Sequence, residues 1–370
     1  MDFTQRKRFE YALNFKEADR VPIEFYLPDH LVDYPKAQEL KELAEEYCGS
    51  FRGPDFVNGG FFGVPSKLSK TLKGQDDDYT FTENKHVTDY GEFTQIVQRG
   101  RLNVKYCHFK KQFFNEIEEL EKFAGCEFPD ISIPDGYDKE INEICGDDYV
   151  PTIAFHHPFG MLARNSPPEK FYMWLITHSD LIHRILEKMY RQINKSIEAV
   201  NLPYVHYFCA LEMAIEPWLS PAMFDEFIFQ YDIVMNKKIH ESGGLVRHHS
   251  HGPVFTHLEH WADMGIDSLE PMEMAPLGDT VLREAKKLVG DRMSLGGNIP
   301  SQRFIELTKD EIEYMTADAI DSCAAGGGFI LKGASNVLGL NSFKTLEQLD
   351  RIIDSAVHFI KCGLKYGSYT

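Results

Sequence analysis

The sequence predicts an α/β fold, a (β/α)8 TIM barrel carrying an irregular N-terminal elaboration. Three observations carry this expectation. From residue 149 onward, short β-rich runs alternate with helical runs, the pattern of a parallel sheet covered by helices. No GxGxxG follows any of these runs, so the dinucleotide-binding open sheet lacks its main feature. A length of 370 residues fits two or three domains of about 100–200 residues, and it equally fits one barrel, since barrels extend to about 400. We read residues 1–370 as one barrel domain, with 28–148 as irregular elaboration over or beside its mouth.

In chain order, residues 4–14 read as a helix that ends before Ala18-Asp19-Arg20, and 21–26 (VPIEFY) as a short strand. A helical pattern covers 38–47, and an amphipathic helix 113–124. Between them the chain is rich in Gly, Phe and Asp without a clear period; its aromatic segment from Phe51 to Phe62 suits packing or a substrate lid. Strands follow at 150–155, 204–209, 244–249, 266–270, 293–297 and 328–331. The intervening helical runs cover 167–200, 220–243, the stretch up to Met264-Gly265, 279–289, 309–325 and 345–361. Ser220-Pro221 opens the second with an N-cap and a first-turn proline.

Composition narrows the function. Lys plus Arg number 39 against 57 Asp plus Glu, a net charge of −18. A surface this acidic repels phosphate backbones and anionic lipid, which argues against nucleic-acid and membrane partners. No apolar run of about 18 residues is present to span a membrane. The first 20 residues hold no apolar signal core or cleavage site, and the seven cysteines are scattered, odd in number and form no CxxC pair. Both point to a reducing cytoplasmic compartment. A homodimer is left open.

Barrel active sites sit at the C-terminal ends of the strands. Those ends carry Glu24, His156 and His157, Cys209 running into Glu212, His249 and His251, Glu270 followed by Glu273, Asn298, and Lys332 followed by Ser335. His249 and His251 stand two apart at a strand end, so period two puts both imidazoles on one face, where they can meet one metal ion. Glu212 or Glu270 could supply a carboxylate and complete a three-ligand site with an open position. The plainer alternative is a pair of polar loop histidines. We assign catalytic roles to Glu212, Glu270 and Asn298, and substrate contacts to Glu24, His156, His157, Lys332 and Ser335. For Glu24 the alternative is an interior residue held by hydrogen bonds; for His156 and His157 it is a structural role at the strand end, shaping the pocket wall; for Lys332 it is a Schiff-base lysine or an ion-paired strand end. Cys209 and Cys323 read as small buried residues.

Several segments together resemble the uroporphyrinogen decarboxylase family. Ala12-Leu13-Asn14 followed by Asp19-Arg20-Val21-Pro22 resembles its opening, and Ser220-Pro221-Ala222-Met223-Phe224 its "SPxMF" helix start. His249-Ser250-His251-Gly252 resembles its "HSCG" strand end, Gly265-Ile266-Asp267-Ser268-Leu269-Glu270-Pro271 its "GVDALNP", and Gly296 to Pro300 with Gly326 to Leu331 its last two strands. The resemblance implies a (β/α)8 barrel. True decarboxylases carry an arginine-rich "RQAGR" segment after the first strand and a "GHGV"-like late loop. Here those places read FYLPDHLVDYP and GASNVLGLNS, so the cations for a polycarboxylate substrate are missing from that segment.

The other branch of the family comprises corrinoid-dependent methyltransferases, which hold zinc with an HxC pair and a late cysteine. Carried over by position, the ligands become His249 and His251, and the late cysteine falls near Ser335. Histidines with a carboxylate are harder ligands than thiolates and leave zinc more Lewis acidic, which suits an oxygen or nitrogen leaving group. The resemblance implies a zinc-dependent methyltransferase that demethylates a small methyl ether or methylamine-like compound. The methyl group would pass to a corrinoid carried by a separate protein, since no DxHxxG signature occurs in this chain. The alternatives are a cofactor-free lyase acting on a smaller carboxylate and a non-catalytic small-molecule-binding barrel.

Overall fold

Eight parallel strands close into a barrel in strict chain order: β1 (Ile23–Glu24), β2 (Cys48–Arg52), β7 (Tyr149–His156), β8 (His206–Ala210), β9 (Leu245–His249), β10 (Ser268–Glu270), β11 (Ser294–Ile299) and β12 (Phe329–Gly333), which returns to lie beside β1. The computed structural model describes residues 3–53, 61–100, 107–131, 135–199, 206–210, 218–334, 343 and 345–369. Six barrel strands fall where the alternation after residue 149 places them, and β1 lies within 21–26. The eighth, β2, was not read from the sequence: CGSFR follows the helix Gln38–Tyr47 without an intervening loop and is too short to show a period.

The helices follow their sequence patterns. Thr4, Ser220 and Thr345 cap the backbone N–H groups of Lys7, Met223 and Gln348, and Thr308 with Glu311 forms a capping box. Helix Leu346–Tyr366 buries Leu349, Ile352, Ile353, Ala356, Phe359, Ile360 and Gly363, a stripe at three- and four-residue intervals. It closes the barrel from outside. A Cβ on Gly363 would lie 2.8 Å from both Ile23 Cδ1 and Leu331 Cδ2, so only glycine lets the helix approach the β1–β12 seam without displacing those side chains. Just beyond it, the Gly367 carbonyl accepts from Val21 N–H at 2.8 Å, and Pro22 O accepts from Leu331 N–H at 3.0 Å. Among the described residues, no helix is long and apolar enough to cross a membrane, and the described cysteines are all free thiols.

Within the stretch expected to be irregular, residues 67–111 hold a regular antiparallel sheet: β3 (Lys67–Gln75), β4 (Tyr79–Thr88), β5 (Gly91–Gly100) and β6 (Cys107–Lys111), in that spatial order. The alternation was hidden because β3 is almost wholly exposed and β4 half-buried throughout, so both faces carry polar residues. On β5 the alternation does exist, with Phe93, Gln95 and Val97 buried. Phe93 packs in an aromatic cluster with Phe61, Phe113, Phe114 and Phe123. The insertion leaves the barrel at the C-terminal end of β2 and lies beside the mouth. Gln95 Nε2 donates to Asn165 Oδ1 at 3.2 Å, at the end of helix Pro158–Arg164 that follows β7, and Phe62 stands edge-on to His156.

Candidate active site

Alternation along β9 sends Arg247 and His249 into the barrel and His248 outward, and the inward pair meets carboxylates from two other strands. Arg247 Nη2 donates to both oxygens of Glu24 on β1, at 3.0 and 2.7 Å, and lies 3.4 Å from Glu270 Oε1 at the end of β10. Lys332 on β12 donates to Glu270 Oε2 and lies 3.3 Å from Glu24 Oε1. His249 Nδ1 is 2.8 Å from Glu270 Oε1. The Arg247 guanidinium also stacks on Phe51 of β2, 3.8 Å from the ring centroid. Two carboxylates therefore face an arginine and a lysine inside the barrel. Burial works to raise the Glu270 carboxyl; Lys332, then His249 and Arg247, overcome it and hold the group well below the usual carboxylate range.

This cluster forms the polar wall of a cavity of about 300 Å³. Glu24, Arg247, His249, Glu270 and Lys332 all reach it, while Phe25, Phe304 and Phe359 supply apolar surface. Next to it, His251 Nδ1 lies 3.1 Å from Glu273 Oε1, and Glu273 Oε2 accepts from Gly252 N–H at 3.0 Å. Burial pushes the Glu273 carboxyl up, but the His251 and Gly252 hydrogen bonds bring it below its usual value. The His249 and His251 rings stand 4.6 Å apart and nearly perpendicular.

Of the residues singled out in the sequence, the structure gathers Glu24, His249, Glu270 and Lys332 at one cavity, with His251 adjoining. Glu212 and Ser335 lie outside the described residues, as does the side chain of Cys209. His157 faces away from the cavity. Its Nδ1 accepts from Gly160 N–H at 3.3 Å, and its Nε2 lies 3.0 Å from both oxygens of the fully buried Asp232, which Tyr190 also contacts. It caps helix Pro158–Arg164 and ties it to the helix carrying Asp232. His156 lines a second cavity of about 290 Å³ under the inserted sheet, with Arg99 and Arg164. Asn298 lines a third, of about 480 Å³, with Thr280 and Tyr314. Cys323 is buried, its thiol pushed up to about 12 by that burial. Arg247 was missed, although counting back two from His249 on the same strand face finds it.

A zinc ion of the kind the sequence suggests can be tested against these donors. Each imidazole has Nδ1 on a carboxylate, the arrangement that fixes the tautomer and turns Nε2 toward a metal. In this respect His249 and His251 fit. Glu270 does not present itself as the third ligand: Oε1 meets His249 and Arg247 while Oε2 meets Lys332, so the carboxylate orients His249.

A closed parallel barrel with a charged cluster and paired, carboxylate-held imidazoles at its C-terminal mouth defines the class. The family model for "Uroporphyrinogen decarboxylase (URO-D)" matches residues 142–354, and the chain belongs to that family. The fold is shared with a methyltransferase from Methanosarcina mazei: TM-score 0.56 and 17% identity, covering 96% of this chain and 98% of that one. No curated protein sequence matches.

Proposed function

We propose that this protein is a zinc-dependent methyltransferase of a corrinoid system, taking the methyl group from a small methyl ether or methylamine-like compound to a corrinoid on a separate protein. The observation that carries the reading is the pair His249–Glu270 and His251–Glu273 at the barrel mouth, where each imidazole rests its Nδ1 on a carboxylate beside a cavity. The fold shared with the Methanosarcina mazei methyltransferase over nearly its whole length supports it. A volume of about 300 Å³ stands at the lower end of ligand pockets and suits a small substrate.

Zinc bound there supplies a Lewis acid for the leaving oxygen or nitrogen. The chain's own groups do the rest. Glu270 and Glu273 hold the two imidazoles in the ligating tautomer, and Lys332 and Arg247 keep Glu270 ionised so that it does so. Phe25, Phe304 and Phe359 exclude water from one side of the substrate. The test is zinc per chain by elemental mass spectrometry, together with methyl transfer from small methyl ethers and methylamines to cob(I)alamin. Absence of stoichiometric metal after chelator-free purification overturns the reading. Arg247 and Lys332 favour a second one, a carboxy-lyase acting without cofactor on a small carboxylate; carbon dioxide release by metal-free protein would select it.

A further inference from the structure

Away from the barrel mouth, two helices bring three different metal-binding side chains together. His358 and Cys362 stand four apart on helix Leu346–Tyr366 and so share one face. Glu313 reaches them from the neighbouring helix Lys309–Cys323. One ligand atom from each lies within 4.8 Å of the other two; among the described residues, no other set of three His, Cys, Asp or Glu side chains does so. Cys362 Sγ is 3.5 Å from His358 Nε2, which is 4.0 Å from Glu313 Oε2.

We propose that Glu313, His358 and Cys362 form a site for one zinc-class divalent cation that clips these two helices together. Tetrahedral zinc with bonds of about 2.0–2.3 Å holds neighbouring ligand atoms about 3.3–3.8 Å apart, so the cysteine–histidine pair already stands at that separation and the Glu313 carboxylate must move in by about 1 Å, a side-chain adjustment. Glu313 is set for this: its Oε1 accepts from Lys365 Nζ and Tyr366 Oη, both at 2.6 Å, which leaves Oε2 toward His358. Such outer contacts orient first ligands. Thiolate and carboxylate together match the two charges of the ion. The mixed S, N and O set selects zinc, cobalt or cadmium over magnesium and calcium. His358 and Glu313 are partly exposed, so a water can fill the fourth position. Binding releases the thiol proton to solvent and replaces the contact of His358 Nε2 with Lys309 O, now 3.0 Å.

Cobalt(II) titration of the metal-free full-length chain tests this, because a thiolate-to-cobalt charge-transfer band in the near ultraviolet reports sulfur ligation. The band is expected in the wild type and in the His249→Ala/His251→Ala double variant, and absent in Cys362→Ser that keeps its circular dichroism. No band in the wild type, or a band that survives Cys362→Ser, overturns the proposal. Should Cys362→Ser fail to fold, Glu313→Gln decides: cobalt affinity weakened tenfold or more supports the site, and unchanged affinity overturns it.

Discussion

Glu24 and Arg247 meet across the inside of the barrel, the guanidinium of the fifth strand donating to both carboxylate oxygens of the first. Both side chains are nearly excluded from water. An ion pair in that position contributes little net stability over an apolar pair of the same shape, yet removing one partner strands the other. Arg247→Leu should therefore lower unfolding free energy by about 3–5 kcal/mol. Glu24→Leu/Arg247→Leu should lose less than the sum of the single changes. Urea titrations of the three variants measure this, and strict additivity would show the pair to be uncoupled.

The carboxylates behind the two histidines give a graded prediction about metal. His249→Ala and His251→Ala each remove a proposed ligand and should abolish stoichiometric zinc at the mouth without unfolding the barrel. Glu273→Gln keeps the shape but weakens the acceptor for His251, and should cost about 10–100-fold in zinc affinity. Competition with a chromophoric chelator reads both. Equal zinc affinity in Glu273→Gln and wild type would mean that His251 is no ligand.

Acid stability should depend on His248. It is wholly buried on the outer face of β9, and burial lowers it to about 4. In the unfolded chain it titrates near the ordinary histidine value of about 6.5. Between these values the unfolded state binds a proton that the native state refuses, so stability falls as pH drops through that window. The full effect is at most about 3 kcal/mol, reached near pH 4. His86, also lowered by burial, acts in the same sense. His240, raised by its hydrogen bond to Asp267, acts oppositely. The comparison is therefore wild type against His248→Gln: the stability difference between them should change between pH 7 and pH 4. A constant difference would remove His248 as the cause.

Uroporphyrinogen should not be decarboxylated at a measurable rate. Residues 25–35 hold no arginine but do hold Asp29 and Asp33. The two cations that do line the cavity are engaged by Glu24 and Glu270. Coproporphyrinogen formation, followed by fluorescence after oxidation, would contradict the charge argument.

Most of the barrel was legible because its strands are buried on both faces and its helices carry caps. Val150, Ile153 and Phe155 on β7, and Phe329, Ile330 and Leu331 on β12, are apolar runs that only a covered parallel sheet accommodates. The inserted sheet was not, because its first two strands, β3 and β4, bury no face and so have no reason to alternate. At the site, strand ends pointed to Glu24, His249, Glu270 and Lys332 because period two is fixed by the backbone. At His157 they could not separate a structural role from substrate contact, because its partners Tyr190 and Asp232 lie 33 and 75 residues away along the chain and leave no local mark. For Asn298, strand position alone did not reveal which cavity it borders.

The glycine seam at residue 363 bears on how the molecule comes to exist. β1 is two residues long, and its neighbours β2 and β12 come from near and far ends of the chain. The helix that packs on the β1–β12 junction lies far downstream of β1 in the chain, so it leaves the ribosome long after that strand. Early strands must therefore wait for this distant segment before the ring can shut, a long-range step of the kind that slows folding and prolongs exposure of sticky edges. Nascent chains stopped before residue 346 should thus depend on chaperones, and a bulkier residue at 363 would extend that dependence to the finished protein.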